Sequence, residues 1–278
     1  YYNPDFITPE GKITIEGYCT DLVTDMGVEY IKEGRDKDKP FLLMVQHKAP
    51  HRCWMPAPRH LNLYDDIEIP EPATLFDDYK DNAPAARYQE LEIDRHMDPH
   101  YDLFLDLVPT EKPVPIQQRQ DRSAWVNLQR FTPEQLKVWR DAWGPKDQAF
   151  HDANLSGKDL VRWKYQRYAK NYLRCVKGVD ESVGRIMQTL EDEGLAENTV
   201  VVYCSDQGFY VGDHGWYDKR WMYDESMKMP FVIKWPEVIK PGSIDEHLIQ
   251  NIDYAATFLD MAGADIPADI QGDSLMPL

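Results

Sequence analysis

Thr199-Val200-Val201-Val202-Tyr203-Cys204-Ser205-Asp206-Gln207-Gly208 is the stretch on which the reading of this chain turns. A β-branched run of this length predicts a buried strand, and in open α/β sheets ligands gather just beyond the carboxyl ends of strands. Asp206 and Gln207 stand at that end, and Asp213-His214-Gly215 and Lys219-Arg220 follow closely.

Working outward, Leu160 to Leu190 places Trp163, Tyr165, Tyr168, Tyr172, Val176, Val179, Val183 and Ile186 at spacings of three and four, which predicts a long amphipathic helix closed by Gly194. Helix followed at once by strand is an αβ unit. The expected class is therefore α/β, with a mostly parallel central sheet and helices on both faces. Phe41 to Val45, apolar throughout and too short for a helix, is predicted as a central strand, and Phe231 to Trp235 as a further one. Thr20 is expected to cap a helix carrying Leu22, Val23, Met26, Tyr30 and Ile31 and ended by Gly34; Asp253 is expected to cap one running through Phe258 and Met261 to Gly263. From about Pro56 to Pro115 the pattern becomes proline-rich and acidic, which predicts surface loops and short helices, and about 61–155 is expected as a loop-rich insertion within a single domain spanning 1–278.

With 42% hydrophobic residues the chain has enough apolar content for a core. Its formal charge of −17, from 48 acidic and 31 basic residues, repels nucleic acid and anionic membranes, so an anion can bind only in a local basic pocket. No apolar stretch approaches the length of a membrane span. Cys19, Cys53, Cys175 and Cys204 form no CxxC pair and no disulfide scaffold; three of the four lie in apolar or helical patterns and are expected as buried free thiols. Asn154-Leu155-Ser156 matches a glycosylation sequon by pattern alone.

Two clusters carry chemistry. The first, Gln46-His47-Lys48-Ala49-Pro50-His51-Arg52, supplies positive charge at the end of the predicted Phe41 strand; it suits an anion, and a histidine there can act as general acid toward a leaving alcohol. The second, Asp206-Gln207, offers two oxygens to a hard cation such as calcium or magnesium, a set that needs further ligands from elsewhere; a polar turn capping the next element is the competing reading. His214, Lys219 and Arg220 share a loop with Trp216, Tyr217 and Trp221, and aromatics beside cations suit a sugar bearing an anionic group. A loop merely packed by its aromatics is the alternative for His214 and Arg220. His96 and His100, with Pro99 between them, are read as solvated, and the pairs Asp65-Asp66 and Asp77-Asp78 as turn residues. No GxSxG, GxxxxGK[ST] or GxGxxG motif occurs.

Phe41 to Arg52, Ser205 to Arg220, Met229-Pro230-Phe231, Asn251-Ile252-Asp253 and Gln271-Gly272-Asp273-Ser274-Leu275 together, in this order, closely resemble the type I, formylglycine-dependent sulfatases. The resemblance covers about residues 38–60 and about 160–278, and looks most like the bacterial branch acting on sulfated glycans, including N-acetylglucosamine-6-sulfatases. It implies an alkaline-phosphatase-like α/β fold and hydrolysis of a sulfate ester on a sulfated carbohydrate. By position it implies calcium, rather than magnesium, at Asp206 and Gln207. It also implies that His51 contacts the sulfate or protonates the leaving alcohol and that Lys219 neutralises the sulfate. His47, Lys48, Arg52, His214 and Arg220 are then expected around the substrate.

The sequence departs from the family at one decisive place. The C/S-x-P-S/A-R motif that supplies the formylglycine nucleophile is absent, as are an aspartate pair completing the calcium site and a GKWH-like motif; Cys53-Trp54-Met55-Pro56 is no match. In the family these precede the position of Tyr1. The expectation is that the chain is the middle and later part of a catalytic domain, incomplete at both ends and inactive alone, with formylglycine in the parent protein. A periplasmic or secreted location is expected for glycan breakdown. A phosphatase or phosphodiesterase of the same superfamily and a non-catalytic domain that binds sulfated glycan are the competing functions.

Overall fold

The chain begins with an antiparallel hairpin of β1 (Asp5–Thr8) and β2 (Gly11–Thr14), and passes into α1 (Cys19–Glu29), which widens into a π-turn ending at Gly34. The structure, a computed structural model, describes residues 1–106 and 127–278. Two compact units emerge, one formed by Tyr1–Ala196 with Phe209–Ser226 and the other by Glu197–Gly208 with Met227–Leu278.

In the first unit, α2 (Pro133–Ala153) starts with a complete capping box between Thr132 and Gln135 and a proline in its first turn, and ends where Asn154 takes a left-handed conformation. It falls inside the stretch expected to be loop-rich, part of which lies outside the described residues. Next comes α3 (Gly157–Asp192), 36 residues long and containing the helix predicted over Leu160 to Leu190, with Gly194 just beyond it at φ 68°. Val161, Tyr165, Tyr168, Cys175 and Val179 of α3 pack with Trp54, Leu75, Ile93, Met97 and Tyr217. Tyr2, Tyr18, Met55, Phe104, Trp139 and Trp143 form a second cluster. Trp143 also carries the guanidinium of Arg167 at 4.1 Å, and Asp147 holds that buried arginine at 2.7 Å.

Several expectations need correction. Residue 18, not Thr20, occupies the helix N-cap, and the buried face of α1 is Thr20, Thr24 and Gly27, with Ile31 below them. Small residues face α3 there because the helices approach closely: a methyl on Gly27 would lie 3.1 Å from Val45 and 3.3 Å from Ile186. The segment Phe41 to Val45 is extended but joins no ladder among the described residues. A strand needs a partner for its backbone as well as an apolar sequence. Phe41, Leu43 and Val45 turn inward in alternation with Leu42 and Met44, which are 71% and 68% exposed. His96 and His100 are half-buried turn fasteners rather than solvated groups: the Glu92 amide donates to His96 Nδ1, and His100 Nδ1 bonds the Leu105 carbonyl. The four thiols are free; Cys53 and Cys175 are buried, Cys19 is half-buried and Cys204 is exposed.

The second unit contains β3 (Val201–Cys204). The first holds β4 (Tyr210–Val211) and β5 (Tyr217–Asp218), paired antiparallel. In the second unit β6 (Phe231–Lys234) pairs with β3, Val201 facing Lys234 and Cys204 facing Phe231. α4 (Asp253–Met261) then stacks Tyr254 on Phe231 at 5.1 Å. The elements are α/β, but the described ladders are two-stranded and antiparallel, not the parallel sheet expected. A parallel ladder needs two strands entering from the same side, and β6 returns to β3 from the opposite direction.

Candidate active site

His51 and Lys219 are the two residues expected to do chemistry, and the first unit carries both. A turn from Lys48 to His51 places the imidazole at the surface, where Nδ1 lies 2.7 Å from the Arg52 carbonyl. A carbonyl can only accept, so Nδ1 holds the proton and Nε2, with no partner among the described residues, is left for a ligand. The Tyr1 hydroxyl donates to the His51 carbonyl at 2.6 Å, and the Lys48 ammonium sits 5.6 Å from the Tyr1 ring.

Arg52 is locked from three sides. Its Nε and Nη2 donate to the two oxygens of Asp102 at 2.6 and 2.8 Å, and its guanidinium lies 5.0 Å from the Tyr101 ring and 5.1 Å from the Tyr217 ring. Asp102 is fully buried, and burial pushes its carboxyl up to about 6 against the pull of Arg52. Tyr217 is anchored in turn by its hydroxyl to the His96 carbonyl at 2.9 Å.

Tyr217 leads directly into Lys219. Asp218 and Arg220, on either side of it, take φ values of 67° and 132°, so strained backbone presents the lysine. Lys219 Nζ lies 5.9 Å from the Phe209 ring and pairs with no carboxylate among the described residues. Asp218 is buried, its Oδ1 without a hydrogen-bond partner, while Arg220 is exposed and 3.6 Å from Asp218 Oδ2.

The other expected subsite residues lie elsewhere in the unit. His47 is folded inward between α1 and α3, with Nε2 2.8 Å from Ser182 Oγ. His214, at φ 58°, stands between Asp77 at 3.7 Å and Glu225 at 3.5 Å, and its ring packs on Trp216 and Tyr223. A groove lined by Asp21, Arg59, Glu181 and Arg185 holds none of the candidate residues, and Arg59 there is already bound by both carboxylates.

Asp206 and Gln207 belong to the second unit. Asp206 is exposed, and its carbonyl accepts from Asn251 Nδ2 at 2.8 Å; Ser205 Oγ donates to the Gln207 carbonyl at 2.9 Å. Their oxygens suit a hard cation in kind but not in number, since calcium takes about six to eight. Among the described residues no group of three acidic, histidine or cysteine side chains could hold a metal ion. Sequence reading missed Asp102 and the bracing role of Tyr217. Asp102 lies in an acidic, proline-bearing stretch where nothing marks one carboxylate as buried.

Likeness to solved sulfatase structures gives an alkaline-phosphatase-like α/β fold. Over its whole length the chain is similar to sulfatases. Residues 212–278 match the model of the N-sulphoglucosamine sulphohydrolase C-terminal region. The whole chain is 43% identical to an N-acetylglucosamine-6-O-sulfatase of Bacteroides thetaiotaomicron, covering 49% of that protein. A solved structure of a protein in complex with its substrate, D-glucosamine-2-N,6-O-disulfate, is 43% identical with a TM-score of 0.92, and the match covers 100% of this chain and 55% of that one. A solved structure from Bacteroides fragilis, 23% identical with a TM-score of 0.54 over 99% of this chain and 44% of its own, shares the fold. The chain spans about half the length, or less, of these curated relatives, as 49% of the Bacteroides protein and 32% of a Volvox carteri arylsulfatase show.

Proposed function

We propose that this chain serves the hydrolysis of a sulfate ester on an amino sugar, at the 6-position of a glucosamine-type glycan. The supporting observation is the 43% identity over the whole chain to an N-acetylglucosamine-6-O-sulfatase. In this reading His51, charged on both nitrogens, gives its Nε2 proton to the sugar oxygen as the S–O bond breaks, and Lys219 balances the negative charge gathering on the sulfate. Lys48 and Arg220 supply positive charge around the substrate, while Arg52 is engaged by Asp102, His47 by Ser182, and His214 stands between Asp77 and Glu225. Asp206 and Gln207 contribute oxygens to a calcium ion completed by further ligands.

The test is sulfate release from N-acetylglucosamine-6-sulfate by the protein as its gene encodes it, beside the 278-residue chain alone. Release by the gene-encoded protein supports the reading. Turnover of the matching phosphate ester instead would make it a phosphatase, and binding without turnover a glycan-binding domain.

A further inference from the structure

We infer that Asp102 is a positioning residue for the candidate active site, acting through Arg52 on both His51 and Lys219; this rests on the sulfatase reading above. Three observations meet at one ion pair. Asp102 is fully buried and uses both oxygens on Arg52, and its Oδ2 also accepts the Asp98 amide at 2.9 Å. The grip fixes the Arg52 side chain, and the Arg52 carbonyl is the acceptor that holds His51 Nδ1–H at 2.7 Å. On its other side the same guanidinium lies against Tyr217, two residues before Lys219.

One buried carboxylate thus holds in place the residue whose backbone carbonyl fixes the proton on His51, and braces the strand that presents Lys219. An arginine is required in this role, because its planar fork can grip two oxygens while its faces meet two rings. Surface charge pairs contribute little, but breaking a buried pair strands a charge away from water, so the carboxylate cannot be replaced silently.

The experiment is Asp102→Asn in the gene-encoded protein, read in two ways. An amide at this position accepts with one oxygen and turns an N–H toward a donor, so Arg52 should loosen. Nitrogen-15 NMR of the His51 ring should show Nδ1 protonated in the parent protein and a mixture of both tautomers in the variant. Sulfate release should fall by roughly 10- to 100-fold in kcat with little change in KM, the size expected for a misplaced group. Arg52→Lys, which keeps the charge but cannot bridge two oxygens, should give the same tautomer mixture, and it decides the matter if Asp102→Asn fails to fold. A folded variant with unchanged His51 shifts and unchanged kcat overturns the inference. If the parent protein releases no sulfate from any ester, the hydrolase reading fails, while the ring shifts still judge the positioning role.

Discussion

His51 Nδ1 and the carbonyl oxygen of Arg52 are 2.7 Å apart, so the backbone of one residue sets the tautomer of its neighbour. An imidazole held in this way keeps Nε2 pointed outward. When Nε2 is protonated as well, that proton is delivered from a fixed position without the ring first turning over, which is the arrangement a leaving alcohol needs.

This fixes how loss of His51 should depend on the leaving group. A sugar alkoxide is a poor leaving group and needs the proton; a nitrophenolate leaves without one. His51→Gln should therefore lower kcat/KM by about 100-fold or more on N-acetylglucosamine-6-sulfate but by less than about tenfold on 4-nitrophenyl sulfate. Lys219→Met, which removes charge balance from the sulfate itself, should depress both substrates alike. Equal losses on both substrates for His51→Gln would remove it as the acid.

The calcium proposal turns on Asp206. Its carboxylate is exposed and its carbonyl is already held by Asn251, so the side chain is available to a cation without rearranging the turn. Chelation should abolish sulfate release by the gene-encoded protein, and added calcium should restore it. Asp206→Ala should raise the calcium dissociation constant by about tenfold or more, measured by titration calorimetry. Full activity after exhaustive chelation would rule the ion out.

What could be read in the sequence followed from whether a residue's partner lay nearby in the chain. α3 was legible because Tyr165, Tyr168 and Val179 repeat on one face of a single continuous element. α2 is signalled too, since Thr132, Pro133 and Gln135 spell a helix start, although it falls within the stretch expected to be loop-rich. Phe41 to Val45 carries strand chemistry, but a ladder is a relation between two segments and one sequence holds only half of it. The buried face of α1 is hidden from the sequence for a related reason: close helix packing selects Thr24 and Gly27 over the larger Leu22 and Met26. His51 and Lys219 could be named from their neighbours in sequence. Asp102 could not, because its partner Arg52 lies 50 residues away in the chain, with Tyr101 and Tyr217 packed on that arginine.

His47 gives the fold a pH dependence with a definite sign. Thr24 Oγ1 lies within hydrogen-bond reach of both the Thr20 carbonyl, at 2.6 Å, and Ser182 Oγ, at 2.7 Å, and Ser182 Oγ also reaches His47 Nε2. Thr24 has one proton, which must go to the carbonyl; Ser182 then donates to Thr24, and His47 donates through Nε2. Nδ1 is left buried with no partner. Burial lowers the His47 pKa below its ordinary value of 6.5, the Asp21 carboxylate opposing more weakly. A depressed pKa contributes stability that is fully present above 6.5 and lost as the pH falls through the folded value. His151, raised by its exposed partner Asp106, works in the opposite sense, so the variant rather than the parent protein isolates the effect. Urea unfolding at pH 7.5 and 5.5 should show a smaller acid loss for His47→Asn than for the parent protein, and identical losses would exclude His47 as the source.

Gly272 tests whether the motif Gln271-Gly272-Asp273 is there for packing or for ligand contact. A methyl on Gly272 would overlap the carbonyl oxygen of Ile252 and crowd the Asp253 amide, both backbone atoms at the start of α4 that cannot rotate aside. Asp253 closes the same junction: its Oδ1 accepts the Asp273 amide at 3.1 Å and its Oδ2 the Gln250 amide at 2.7 Å. Close approach of two backbones therefore explains the glycine without any ligand. Gly272→Ala should destabilise the protein by about 1–3 kcal/mol, the usual range for forcing a methyl into a packed site. Asp253→Asn, which keeps an oxygen for one amide but sets an N–H against the other, should cost about 1 kcal/mol. Thermal melts of both variants, with sulfate release measured well below the transition, separate the two roles. A packing role lowers the melting temperature and leaves KM unchanged; a raised KM in a variant of unchanged stability would instead place this motif at the substrate.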